Sequence, residues 1–361
     1  MEIFVMIHLS FFTKYPTQGA TSRYRSFMFA FRLSELDYNI ELQSFMDIRY
    51  LSDLFAKKPK NKIRIFLSYC ARLFAVLRSS DHLIIERELF PFMPYGFERL
   101  FLCRKRYILD FDDNVWEDYR EKFLLEQKYD SLVKHAAGVI VGNDYLEHYV
   151  KKLNPNVIKI PTVVNLEPYK ATSSLQKFDR FTLVWIGSPI TYRYIEAFAL
   201  TFQKLAENFD FDLIIVASKA LELRRIEGVS MKFFDWSSET EPFFLKQSHV
   251  GIMPLTDDPF SQGKSGFKLI QYQAAGLPMI ASPIGENNHI VEHGINGFLA
   301  SDTADWLDAL RQLLSSQELY KSMSDHSTTK SYDYSIQKYF PIYKNFIDET
   351  FTPSKMGKEL C

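Results

Sequence analysis

The sequence predicts an α/β protein of two Rossmann-like domains, each a parallel sheet covered by helices. Short apolar, β-rich runs alternate with longer stretches of helical period along most of the 361 residues. The runs are continuous in apolar residues, as strands buried on both faces require. A chain of this length, 47% hydrophobic and 24% charged, also has enough apolar material for two ordinary cores.

In the first half the expected strands are Ile3–His8, Ile40–Phe45, His82–Glu86, Arg106–Phe111, Gly138–Val141 and Val157–Ile160, after which Pro161 breaks the pattern. The polar, weakly periodic stretch between Val164 and Arg180 reads as a linker. Beyond it come Thr182–Ile186, Asp212–Ala217, Met231–Phe234, Val250–Pro254, Pro278–Ser282 and Gly297–Leu299, and a last helical segment, Ile336–Phe351, precedes a polar tail. These boundaries predict domains over 1–165 and 166–335, with a helix and tail over 336–361 that cross back to the first domain.

A net charge of −1 gives no global argument for nucleic-acid binding. Cys70, Cys103 and Cys361 have no metal-like or redox-like spacing, so neither a disulfide framework nor a metal site is expected, and a cytoplasmic setting fits best. The amino-terminal run MEIFVMIHLSFFTKY lacks a basic leader region and a cleavage site, and no apolar run reaches the ~18 residues that span a bilayer. A dinucleotide-dependent dehydrogenase is disfavoured, because no G-x-G-x-x-G follows the first strand and Gly19 stands alone there.

Ligands of open parallel sheets bind at the carboxyl ends of strands. The most informative such segment is Gly263-Lys264-Ser265-Gly266-Phe267-Lys268-Leu269-Ile270-Gln271, a glycine turn running into a helix that ends at Gly276. Amides near Gly266 and Phe267 are placed to face a diphosphate. Lys264, Lys268 and Gln271 share one face if the helix begins by Lys264. An ordinary amphipathic helix with solvated lysines is the alternative.

The run GKSGFKLIQYQAAGLPMIASPIGENNHIVEHGINGFL resembles the donor-binding signature of the family 4 (group 1) glycosyltransferases of the GT-B fold, in a subgroup linked to bacterial surface polysaccharides. That resemblance implies two Rossmann-like domains facing each other across a cleft, the first for the acceptor and the second for the nucleotide sugar. It implies transfer of a sugar from a nucleotide diphosphate to an acceptor hydroxyl with retention, without metal and with no further cofactor. The family usually has two glutamates eight positions apart, where this chain has Gly263 and Gln271. Gln271 still offers hydrogen bonds to ribose hydroxyls, but the first carboxylate is missing.

Three other segments take meaning beside it. Trp185-Ile186-Gly187-Ser188-Pro189-Ile190-Thr191-Tyr192-Arg193 resembles the family's first turn of the nucleotide domain: Gly187 permits close approach, Ser188 or Thr191 would cap a helix, and Arg193 adds charge. In Gln18-Gly19-Ala20-Thr21-Ser22-Arg23-Tyr24-Arg25 the resemblance implies a first loop closing over the donor diphosphate, with Arg23 or Arg25 reaching it. In Asp110-Phe111-Asp112-Asp113 the three acids repel one another, and the resemblance makes Asp112 or Asp113 the residue that orients acceptor or sugar hydroxyls. Glu86 and Arg87 are expected to form an internal ion pair.

Finally, Leu54–Ser80 holds Lys57, Lys58, Lys60, Lys62, Arg64, Arg72 and Arg78 with no acid, beside an apolar stripe of Ile63, Phe66, Leu67, Cys70, Leu73, Phe74 and Leu77. Such a helix either lies on anionic lipid at the inner face of the plasma membrane or packs its stripe on the sheet. The expected partners are thus a nucleotide sugar, a glycan or lipid-linked acceptor and an anionic membrane, and no nucleic acid. Two rivals remain, a catalytically silent nucleotide-sugar-binding partner protein and a UDP-sugar epimerase on the same fold.

Overall fold

Parallel strands buried on both faces alternate their side chains between two cores, and this chain does so twice. The computed structural model describes residues 7–352 apart from 57, 118 and 219–222. It divides into two compact units, residues 1–163 with 336–361, and residues 164–335.

The first unit holds β1 (Ile7–Thr13), β2 (Tyr38–Ser44), β3 (His82–Glu86), β4 (Arg106–Phe111), β5 (Gly138–Val141) and β6 (Val157–Lys159), in the order β2-β1-β3-β4-β5-β6. Every pairing is parallel. Ile84, Ile108 and Ile140 enter one core with Leu9 and Phe11, while Leu83, Ile85, Leu109 and Val139 enter the other with Phe12. The helix Ile336–Phe351 closes the first of these cores, its Tyr343 ring stacked on Phe29 with centroids 4.2 Å apart.

In the second unit β7 (Thr182–Gly187), β8 (Asp212–Ala217), β9 (Met231–Asp235), β10 (Val250–Met253), β11 (Met279–Ala281) and β12 (Gly297–Leu299) lie in the order β12-β11-β10-β7-β8-β9, again all parallel. Leu183, Trp185, Leu213 and Ile215 face one core, Val184, Ile186, Ile214 and Val216 the other.

Two expectations are corrected. Within the described residues the first strand covers Ile7–Thr13, so it runs on past the expected end at His8, and residues 3–6 of that expectation lie outside the described residues. His8 and Ser10 disguise its apolar pattern, and the Ser10 hydroxyl is held by Glu41 (3.3 Å) and Ser80 (3.1 Å). The stretch 164–180 is no loose linker: Glu167–Ala171 is helical, and Tyr169 is buried in the second unit.

Candidate functional site

A ligand crevice in an open parallel sheet lies at the carboxyl ends of strands where the order reverses. In the second unit that point falls between β7 and β10. Tyr272 spans it, its hydroxyl accepting from the Ile186 amide (3.2 Å) and donating to the Ile252 carbonyl (3.1 Å). The helix Phe267–Ala274 is thereby pinned to both flanking strands. Its amino end is made by Gly266 in the left-handed conformation (φ 64°), where a Cβ would fall 2.4 Å from Ile290 Cδ1. Among the described residues, no acceptor is bonded to the Ser265 or Gly266 N–H. These amides therefore stand ready for an anion.

Because the helix starts at Phe267, the expected single face through Lys264, Lys268 and Gln271 does not exist. Lys264 instead leaves the turn after the helix Pro259–Gln262, its amide bonded to the Ser261 carbonyl (3.2 Å). Its ammonium lies 4.4 Å from the Phe260 ring centroid and 5.3 Å from that of Tyr194. Arg193 shares both rings, at 5.6 Å and 5.0 Å, and donates to the Tyr194 hydroxyl (3.0 Å). Aromatic faces thus hold two cations together without neutralising either. Lys268 lies over Trp185, 5.6 Å from its ring centroid. At Gly187, a Cβ would press to 2.5 Å from that ring and 3.0 Å from Lys268 Cε, so glycine there leaves room for both side chains. Ser188 and Thr191 cap no helix. They bond one another's amides in a turn before Arg193–Ala197, which corrects the expected capping role.

Gln271 is buried, and its side-chain amide donates to Glu241 Oε1 at 2.6 Å. Glu241 also accepts from the Tyr169 hydroxyl (2.6 Å) and the Trp236 indole (2.7 Å). Sequence reading missed these three residues. The available signal was their placement, since Trp236 directly follows β9 and Glu241 opens the next helix, Glu241–Gln247.

In the first unit the order reverses between β1 and β3. There Arg87 holds a left-handed backbone (φ 65°), a costly conformation for a side chain of this size, and its guanidinium pairs with Asp113 and lies 3.8 Å from Asp112. Asp112 is buried and accepts from the Thr162 hydroxyl (2.9 Å) through Oδ2, while Oδ1 faces the Arg87 guanidinium at 3.8 Å with no hydrogen-bond partner among the described residues. Burial, with Asp113 beside it, raises the Asp112 carboxyl above the usual range. At Gly142 any Cβ would strike Asp112 Cα at 2.9 Å, so glycine lets β5 close on the acid.

The expected Glu86–Arg87 ion pair is replaced by the pairing of Arg87 with Asp113. Glu86 is buried and accepts from Ser22 (2.8 Å) and Ser26 (3.1 Å). Arg25 is also corrected. It is 1% exposed, paired with Asp110 at 2.5 Å and bonded to the Ile160 carbonyl, so its charge is spent inside the first unit. Arg23 remains half-buried, its Nε donating to the Thr17 carbonyl (2.6 Å). Gly19, with the Tyr15 Cβ only 2.5 Å from where its own would stand, allows the tight turn before it.

Burial pushes the Glu86 carboxyl up to about 7 and Asp110 up to about 6. A carboxyl whose folded pKa exceeds its unfolded one binds more protons in the folded state, so stability falls as pH rises through the interval between them. Glu86→Gln should therefore melt above the wild type at pH 8, with the gain shrinking toward pH 5. Melting scans at both values check this, and a constant difference would contradict it.

The helix Lys62–Arg78 settles the two readings of the basic segment as far as packing goes. Ile63 (73% exposed), Phe66 (64%), Leu67, Phe74 and Leu77 (66%) face outward from the first unit, and only Leu73 of the stripe packs inward. Arg72 is buried and bonded to the Thr13 and Leu89 carbonyls, and Arg64 pairs with Asp53 at 2.7 Å. Lys57 lies outside the described residues. Among the described residues no helix is long and apolar enough to cross a membrane, and no group of three or more His, Cys, Asp or Glu is placed to hold a metal ion.

Comparison with known proteins places this geometry. Residues 180–316, which include the Gly263–Gln271 turn, match the model of the family "Glycosyl transferases group 1". An uncharacterized glycosyltransferase of Haemophilus influenzae is 26% identical over 207 residues, 53% of this chain and 55% of that protein. TuaH of Bacillus subtilis, named as a teichuronic acid biosynthesis glycosyltransferase, is 23% identical over 237 residues, 58% of this chain and 57% of its own. The chain thus spans little more than half the length of these curated relatives. Over 95% of the chain and 100% of its counterpart, Anabaena HepE in its crystal structure with UDP superposes with a TM-score of 0.63 at 13% identity. The two parallel six-stranded sheets accordingly define a protein of the GT-B fold. Within that class, the chain is a relative of the group 1 glycosyl transferases.

Proposed function

We propose that this chain is a retaining glycosyltransferase that moves a sugar from a nucleotide diphosphate sugar to a hydroxyl of a glycan or lipid-linked acceptor, in the synthesis of a cell-surface polysaccharide or lipopolysaccharide. The turn at Gly266 carries the reading: unbonded amides at a helix start, with Lys264, Arg193 and Lys268 around the same end of β7 and β10. UDP bound by HepE supports a nucleotide diphosphate as donor, and the naming of TuaH supports the polymer class.

The hard step is departure of the nucleotide diphosphate from an anomeric carbon that becomes oxocarbenium-like. Fixed positive potential answers the charge that develops on the leaving phosphate. The Ser265 and Gly266 amides with Lys264, Lys268 and Arg193 supply it. The acceptor attacks the face that the diphosphate leaves, and a phosphate oxygen takes its proton. In the first unit, Asp112 or Asp113 is the residue proposed to orient a sugar or acceptor hydroxyl. Incubating a labelled UDP-sugar with membrane lipid extract tests this. An α-linked product from an α-donor supports it. A β-linked product, or a new nucleotide sugar formed without acceptor, refutes it.

The exposed stripe Ile63–Leu77 with Lys58, Lys60 and Lys62 is the proposed contact with an anionic membrane, each cation adding about 1 kcal/mol near the surface. The wild type should sediment with phosphatidylglycerol vesicles and not with phosphatidylcholine vesicles. Alanine at the three lysines, or serine at Phe66 and Phe74, should abolish that, and unchanged sedimentation of both variants would remove the membrane from this account.

A further inference from the structure

A buried carboxylate next to a buried amide decides which end of that amide faces outward. Glu241 Oε1 lies 2.6 Å from the Gln271 side-chain nitrogen. An ionised carboxylate only accepts, so the atom turned to it must be the N–H, and the carbonyl oxygen must turn the other way. The Tyr169 hydroxyl and the Trp236 indole, both donors to Glu241, fix the carboxylate in turn. Gln271 Oε1 has no donor among the described residues, and unlike the Oε1 of nearby Gln273 it is not sealed from solvent. The residue that carries it is only 4% exposed.

The place of that oxygen says what it meets. Gln271 lies four residues along the helix from Phe267, about 6 Å at 1.5 Å per residue, so it stands one turn from the amides and cations assigned to the diphosphate. A pentose hydroxyl next to a bound diphosphate falls at that range. We infer that Glu241 is a positioning residue for the nucleotide donor: it locks Gln271 as an acceptor-only contact, so the site selects a ribose hydroxyl that can donate. The inference rests on the donor reading of the Gly266 turn. Here glutamine does what an outward carboxylate oxygen would do, and the negative charge sits one residue deeper.

The test compares UDP with its 2′-fluoro-2′-deoxy and 3′-fluoro-3′-deoxy analogues by calorimetric titration. Fluorine keeps the size of a hydroxyl without the donor. The wild type is expected to bind at least one fluoro analogue about tenfold or more weakly than UDP, as a buried acceptor left unmatched requires. In Glu241→Gln the Gln271 amide is free to reverse and point its N–H outward, and that ratio should fall toward one. A merely structural role for Glu241 would weaken all three ligands together and leave the ratio unmoved. The exchanged pair Glu241→Gln/Gln271→Glu restores an acceptor-only face and should restore the ratio, which keeps the test decisive even if the single variant folds poorly. Equal binding of all three nucleotides by the wild type, or an exchanged pair that remains indifferent to fluorine, overturns this inference and leaves the donor site standing. Absence of any nucleotide binding by the wild type overturns the donor site itself.

Discussion

Lys264→Ala is expected to transfer sugar at least about tenfold more slowly than the wild type, and Lys264→Ala/Lys268→Ala about 100–1000-fold more slowly, the usual loss when a preorganised contact to developing charge is removed. The loss should appear chiefly in kcat, because charge on the departing phosphate grows toward the transition state. Stability should change little for Lys264, which is half-buried, enters no salt bridge among the described residues and touches the rings of Phe260 and Tyr194. Arg193 on the same two rings is expected to retain part of the site's potential in both variants. Steady-state rates beside melting temperatures check this. A well-folded double variant with near-normal kcat would mean that these cations are ordinary surface charges.

Gly266→Ala should damage the site chiefly through the backbone of its turn. Its backbone sits at φ 64°, where L residues are disfavoured, and the new Cβ would lie 2.4 Å from Ile290 Cδ1. The far end of an isoleucine can move, so the fold survives at a cost of about 1–3 kcal/mol. The turn cannot relieve the strain without rotating the peptides that carry the Ser265 and Gly266 amides. Nucleotide affinity should therefore fall further than that of Ser265→Ala, which keeps the backbone. Melting scans and UDP titrations of the two variants distinguish them, and equal affinities would show that the amides are not used.

Much of this was readable because it rests on local rules. Strands β3, β4, β5, β8 and β12 lie where continuous apolar runs demand burial on both faces. The glycine turn was visible because a left-handed residue before a helix has few occupants other than glycine. What escaped depends on partners far along the chain. Arg23 and Arg25 differ by two residues and so point to different sides of their helix. Only the fold reveals that Arg25 meets Asp110, 85 residues away. Glu241 lies 30 residues from Gln271, and no spacing rule joins them. The helix start next to Gly266 was legible, but the conditional face through Lys264, Lys268 and Gln271 fails because Lys264 belongs to the preceding turn. The helix Lys62–Arg78 left two readings open, since an apolar stripe looks the same in sequence whether it faces a sheet or the outside.

Calorimetric titration of UDP, with and without EDTA, into the wild type and Lys264→Ala/Lys268→Ala tests the central claim most directly. The account predicts saturable one-to-one binding by the wild type that EDTA leaves unchanged, and binding weakened by an order of magnitude or more in the double variant, as about 1.4 kcal/mol per tenfold requires. A folded wild type that binds neither UDP nor any other nucleoside diphosphate, or a double variant that binds as the wild type does, would contradict it.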